Sequence, residues 1–382
     1  MASALPLSTI GRAERDWQGI AAEFAEQFKP GCAAHDAEDS FVAENYAALK
    51  AAKLFSAGVP VELGGGGASF RDLATILHTL AKGCSSTALA FAMHTHPVAL
   101  TVWRWRHENA PVEPLLRRIA AEELVMVSSG GTDWLQSAGT AERVEGGFRI
   151  TATKHFASGS PSGDILMTSA VYDDPENGPT VLHFGVPLKA PAVKLVDNWR
   201  AHGMRGTGSG DVVVDGFFLA DAAVGVRRPQ GRWHHFFHTI SIVAFPLIYA
   251  VYLGIAEAAR DAAVAAASRR SAGPDTPPLV GAMETELLAA QLAHQEMLTL
   301  GESAEPGPAS TSRLFAAKTL ATRAMLRTVD QALTIAGGPA FRRDHPLEHL
   351  SRDIQGARYH PLQEAAQLRL TGRAALGLSL DD

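Results

Sequence analysis

The sequence predicts a chain in three parts: an N-terminal α-helical domain over residues 1–122, a central antiparallel β-domain over 123–233 and a C-terminal four-helix bundle over 234–382. Three observations predict it. Apolar residues recur at helical spacing through roughly the first 120 residues. Between 124 and 214 the texture changes to short β-branched runs bounded by Gly, Pro, Asn or Asp. From about His235 long helical runs return. Helices, then strands, then helices do not alternate as a doubly wound sheet requires.

The segment 12–29 is amphipathic and is expected to end at Pro30-Gly31; 42–54 is a second helix. Four consecutive glycines, Gly64 to Gly67, make 60–67 a loop. Residues 69–81 and 85–105 resume the helical pattern, with many alanines that allow close helix packing. Runs at 124–128, 148–153, 165–171, 181–186 and 211–214 read as the strands of a barrel or sandwich. Pro, Gly and Ser at 271–278 and 305–310 break the C-terminal helices. The run 239–256 is apolar enough to mimic a membrane span. Pro246, Gly254 and two tyrosines interrupt it, so a buried bundle helix is expected instead.

Hydrophobic residues at 46% suffice for a substantial core, and a formal charge of −6 from dispersed acids and bases argues against nucleic acid or an anionic membrane as partner. Two cysteines, Cys32 and Cys84, are no disulfide framework; a reducing cytoplasm is the expected location. Residues 1–16 lack the basic and apolar regions of a signal peptide. Gly206-Thr207-Gly208-Ser209-Gly210 is followed by strand-like residues rather than a helix, so it is no phosphate cradle.

A Gly337-Gly338 turn after an Ala/Leu-rich helix, then Arg352-Asp353 and Tyr359-His360, resembles the C-terminal signature of the acyl-CoA dehydrogenase superfamily. Other segments match in order. Gly64-Gly65 after Pro60 looks like its N-terminal glycine loop. Ser128-Ser129-Gly130-Gly131-Thr132-Asp133 stands where the family has a flavin-contacting loop. Lys154-His155-Phe156-Ala157-Ser158 looks like the stretch beside the flavin ring, Gly203-Met204-Arg205 like its following turn, and Arg269-Arg270 like an arginine reaching a neighbour's flavin. The resemblance implies an acyl-CoA dehydrogenase-like fold, FAD as cofactor with FMN as the alternative, and a homotetramer built as a dimer of dimers. Flavin-contacting residues would be Ser128, Ser129, Gly130, Thr132, His155, Phe156, Ser158, Arg269, Gly337 and Gly338.

A dehydrogenase of this family removes an α-proton with a carboxylate. Here His360 holds the usual position, the run 238–254 has no acid, and Glu364 is a fallback base. These departures resemble the family's flavin-dependent monooxygenase branch, which includes dibenzothiophene-type oxygenases, phenol-type hydroxylases and amino-sugar N-oxygenases. That implies reduced flavin from a separate reductase, reaction with O2 through a C4a-hydroperoxyflavin, and a small substrate. A flat aromatic one would suit Trp103, Trp105, Trp134, Trp199 and Trp233. His360 and Ser158 are then the expected hydrogen-bond donors, with His94 and His96 as further catalytic candidates on opposite sides of one helix. An acyl-CoA dehydrogenase and a catalytically silent flavoprotein remain the alternatives. His234 and His238 have the spacing of helical metal ligands, but no neighbouring Glu or Cys completes a site, and no metal is expected.

Overall fold

The computed structural model describes residues 15–131, 133–269 and 273–381, and the order of helices, strands and helices is as expected. Helix α1 (Trp17–Glu38) runs straight through Pro30, nine residues beyond the expected end at 29. Packing of Trp17, Ala21, Ala25, Phe28 and Cys32 on one face outweighs the one backbone hydrogen bond that proline removes. Helix α2 (Ala43–Ala51) is short. Helix α3 (Phe70–Gly83) begins at a capping box in which Ser69 and Asp72 exchange hydrogen bonds. Helix α4 (Ser85–His107) is buried along most of its length, and α5 (Glu113–Glu122) follows it.

The sheet contains β1 (Met126–Ser128), β2 (Thr140–Val144), β3 (Gly147–Lys154), β4 (Ile165–Asp174), β5 (Gly178–Pro187), β6 (Val193–Val196), β7 (Asp211–Ala220) and β8 (Val226–Pro229). Neighbours run β6-β7-β3-β2-β4-β5-β8, with β1 beside β4. Two pairings depart from the expected antiparallel pattern: β1 and β2 each lie parallel to β4. β2, β6 and β8 escape the sequence pattern because they are four or five residues long and carry charged residues. Strand β3 alternates cleanly, burying Phe148, Ile150, Ala152 and Lys154. The period of two therefore turns a lysine inward.

Helices α6 (His235–Ser268), α7 (Thr276–Ser303) and α8 (Pro308–Ala336) pack on one another, α9 (Pro346–Asp353) lies against α6, and α10 (Glu364–Ala375) packs on α8. The most apolar stretch of α6 is 94% buried, as a core helix requires. It is wedged between α3 and α4 on one side and α7 and α8 on the other. Gly254 makes this possible, because a Cβ there would stand 2.3 Å from the His78 carbonyl oxygen.

The Arg352-Asp353 pair ties the parts together. Arg352 forms ion pairs with Asp36 of α1 (2.6 Å) and Glu348 (2.8 Å). Buried Asp353 accepts the Met204 N–H (2.5 Å) and the Ser85 hydroxyl. The loop at 203–208 can approach this closely because Gly203 has no side chain; a Cβ would lie 2.4 Å from the Arg352 carbonyl oxygen.

Candidate functional site

A cavity of about 1180 Å³ lies between α4, α6, the sheet and the turn at 354–363. Phe237, Ile240, Ala244, Phe245 and Ile248 of α6 and Met93 of α4 give it an apolar wall. The loop after β1 and the turn after β3 give it a polar edge, which includes Ser128, Ser129, Gly130, Gly131, Phe156 and Ser158. Its volume exceeds the ~300–1,000 Å³ of a usual small-molecule pocket, enough for a cofactor with a substrate beside it.

The polar edge is wired in a definite direction. Thr207 donates to the Met204 carbonyl oxygen (2.8 Å), Ser209 lies 2.6 Å from Thr207, and Ser158 lies 2.7 Å from Ser209. Each hydroxyl has one proton. The Thr207 proton is used on Met204, so Ser209 donates to Thr207 and Ser158 donates to Ser209. Ser158 therefore offers lone pairs to the cavity, an acceptor rather than the expected donor. His96 Nε2 meets the Ser128 hydroxyl at 3.0 Å, and Ser129 donates to Thr168 (2.8 Å). The indole N–H of Trp134, at the cavity, is buried with no hydrogen-bond partner among the described residues.

Inward-facing Lys154 donates to Asp133 (2.9 Å) and to the Ala138 carbonyl oxygen (2.6 Å), and burial lowers its pKa. Buried Arg228 donates to His183 Nε2 (3.0 Å) and to the carbonyls of Leu135 (2.7 Å) and Trp134 (3.2 Å), with its pKa pulled down by burial to about 10. Together they hold the 133–138 loop against the sheet.

On the opposite side His360 Nε2 meets the Tyr252 hydroxyl at 2.6 Å, and the Lys318 ammonium donates to the His360 carbonyl oxygen (3.1 Å). Burial holds the His360 pKa at about 3, helped by the Lys318 charge, and that of His96 at about 3 through burial, His360 and His94. Both imidazoles are neutral at physiological pH.

Two bulky residues at the cavity have left-handed backbones, Phe156 (φ 62°) and Met204 (φ 55°). Such a conformation costs about 1–2 kcal/mol each, and strain of this kind clusters at functional sites.

The structure thus brings His96, Ser128, Ser129, Gly130, Phe156, Ser158 and His360 to one cavity. It does not bring His94 there. Its Nε2 is bonded to the Phe55 carbonyl oxygen (2.7 Å) and its Nδ1 accepts the Met126 N–H (2.9 Å), so no ring nitrogen is left for a ligand and a catalytic role is withdrawn. His155 points to the surface and to Asp211 (2.9 Å). Arg269 caps the end of α6 and is exposed; Gly337 ends α8 and Gly338 opens the next turn, all three away from this cavity. Thr132 and Arg270 lie outside the described residues. Glu364 opens α10 and pairs with Arg323 (2.5 Å) instead of lining the cavity. Of the five tryptophans named above, Trp134 and Trp199 line it, while Trp233 stacks on His238, Trp103 stacks on His107 and Trp105 packs elsewhere, beside the cluster of Val98 and Val102. His234, His235 and His238 do not converge: His234 caps Phe236, His235 reaches Glu108 and His238 bonds Thr311.

Sequence reasoning missed Tyr252 and Lys318. A signal existed for Lys318, which shares the helical face of Leu314, Ala321 and Met325 where an apolar residue is expected.

The donor set fits a flavin. The α6 wall suits a flat apolar ring, the Trp134 N–H lacks a partner, and the Ser128, Ser129 and Ser158 hydroxyls provide polar groups along one edge.

Family models for the acyl-CoA dehydrogenase N-terminal domain and C-terminal domain match residues 12–130 and 247–364. An amino sugar nitrososynthase of Streptomyces rubradiris is 29% identical over 92% of this chain and 87% of its own length. A Bacillus subtilis protein provisionally assigned as an acyl-CoA dehydrogenase is 27% identical over 92% of this chain and 94% of its own. Dibenzothiophene monooxygenase of Mycolicibacterium goodii is 26% identical over 96% of this chain and 91% of its own. Among solved structures, KijD3 in complex with FMN and a dTDP-linked amino-keto sugar superposes with a TM-score of 0.88 at 26% identity, covering 98% of this chain and 96% of that one.

Proposed function

The chain belongs to the acyl-CoA dehydrogenase superfamily, and from that premise we propose that it is a flavin-dependent monooxygenase acting on a small molecule in the cavity beside α6. One observation carries the choice between oxygenase and dehydrogenase. Among the described cavity-lining residues the single acid is Asp133, and Lys154 already holds it. Among the described residues no carboxylate is placed to take an α-proton. Neutral His360 stands where the family's dehydrogenases keep their base, and Glu364 is turned to Arg323.

FMN is the proposed flavin, supported by the FMN in the KijD3 complex. Ser128, Ser129, Ser158 and the Trp134 N–H would hold it against the α6 wall. When bound in reduced form, the flavin supplies the electrons that activate O2. The protein's share is positional. The α6 wall excludes water, His96 and His360 present neutral imidazoles, and Ser158 presents an acceptor. A separate reductase, a cytoplasmic location and a homotetramer complete the proposal. The buried free thiols of Cys32 and Cys84 suit a reducing compartment, and 92%-exposed Phe341 suits an interface. The amino sugar nitrososynthase relatives make an amine-bearing sugar nucleotide the first substrate to try, with sulfur heteroaromatics second.

The test is rapid mixing of reduced, FMN-loaded protein with O2, after FMN binding is established by fluorescence titration. A transient absorbance before the oxidised spectrum returns supports the oxygenase. Direct return to the oxidised spectrum, with bleaching of the oxidised protein by acyl-CoAs, would place it among the dehydrogenases.

A further inference from the structure

Lys318 is fully buried in α8, and among the described residues no carboxylate pairs with it. Its ammonium donates to the carbonyl oxygens of His360 (3.1 Å) and Leu362 (2.8 Å). It also lies over the rings of Phe245, Tyr249 and Phe315. Burial pulls its pKa down to about 7. An unpaired buried cation is costly, and a Met or Leu would complete the same apolar stripe without that penalty. What the ammonium gains in exchange is a grip on the backbone that carries His360.

The side chain of His360 is held from the other side, by Tyr252 of α6. Burial pushes the Tyr252 pKa well up, so its phenol keeps its proton. That proton has no acceptor other than His360 Nε2 among the described residues. Tyr252 therefore donates to Nε2. A neutral imidazole that accepts on Nε2 carries its own proton on Nδ1, and Nδ1 has no partner among the described residues.

We propose that Lys318 and Tyr252 are positioning residues: Lys318 fixes where the His360 backbone sits, Tyr252 fixes its tautomer, and the cavity meets an Nδ1–H donor. The use of that donor rests on the oxygenase reading; the tautomer and its clamp do not. The ionisable groups around His360 are Lys318 from α8, Tyr249 and Tyr252 from α6, His96 from α4 and, behind Tyr252, Asp353 of α9. The charge that acts on the His360 ring is the Lys318 ammonium, and it opposes a second proton there.

Nitrogen-15 NMR of histidine-labelled, FMN-loaded protein tests this, with the His360 signals identified by their loss in His360→Asn. The expected wild-type pattern is the Nδ1–H tautomer, and Tyr252→Phe is expected to give a tautomer mixture. Lys318→Met is expected to bind FMN normally and to form between about tenfold and 10²-fold less product per flavin oxidised, the scale of a misplaced reacting group. Lys318→Arg, which can donate to both carbonyls, is expected to recover part of the loss. A wild-type Nε2–H tautomer would overturn the proposal. So would a Lys318→Met protein whose tautomer and product yield both match wild type. If Lys318→Met does not fold, the wild-type and Tyr252→Phe spectra still decide the tautomer. A wild-type protein with the Nδ1–H tautomer and no oxygenated product would instead count against the oxygenase reading.

Discussion

Because the Ser158 proton is directed through Ser209 and Thr207 to the Met204 carbonyl, its oxygen accepts from whatever occupies the cavity. Reduced flavin carries an N–H that oxidised flavin lacks. Ser158→Ala should therefore weaken reduced FMN by about 1 kcal/mol, the net worth of one hydrogen bond, and leave oxidised FMN nearly unchanged. The midpoint potential of the bound flavin, which should fall, reads this directly. His360→Ala removes an oriented donor and should lower product formation about 10²-fold. Glu364→Gln breaks only a half-exposed pair with Arg323 and should leave turnover within about twofold; steady-state rates of the two variants side by side check both. Asp133→Asn would leave Lys154 buried without its carboxylate. A loss of about 3–5 kcal/mol is expected in urea denaturation.

At the level of elements, much of the architecture could be read from pattern alone. The alternation of β3, the capping box before α3 and the apolar run of α6 each have a local cause that acts within one segment. What escaped were features decided elsewhere in the chain. Pro30 stays helical because of the face that α1 buries, and β8 is a strand because β5 offers it an edge. The candidate site divides the same way. Ser158 and His360 were identifiable from motif order and His96 only as one of two histidines on one helix, but the direction of the Ser158 proton depends on residues some 50 positions away. Tyr252 and Lys318 meet His360 only after α6, α8 and the 354–363 turn have packed. Gly254 shows how narrow such packing is. Gly254→Ala would force α3 and α6 apart at the His78 carbonyl, and a loss of about 1–3 kcal/mol is expected, as for overpacked cores. Thermal melting of that variant, with Gly281→Ala on the open face of α7 as control, tests it.

For the whole molecule, buried bases set the pH dependence of stability. Burial depresses the pKa of His94, His238 and His294 to about 4 and of His96 and His360 to about 3. The unfolded chain then binds more protons than the folded one as pH falls from about 6.5 toward 3. The stability these groups contribute is present above 6.5 and lost through that window. Lys318 adds a second window. Its folded pKa of about 7 lies below the unfolded value near 10.5, so stability rises with pH between the two. Denaturant midpoints should increase from pH 5 to 7 and again from 7.5 to 9.5, and Lys318→Met should shrink the second rise alone, leaving the part that buried Lys154 contributes. The lodging of α6 between early and late helices also has a consequence for synthesis. When residue 268 leaves the ribosome, α3 and α4 exist to cover one flank, but α7 is still inside the exit tunnel and α8 has not been made. The most apolar helix of the chain then waits half-clothed for roughly 70 further residues, several seconds at a typical translation rate. A chain released in that interval presents a sticky surface. Truncated chains released after residue 275 should recruit chaperones, and those released past 336 should not.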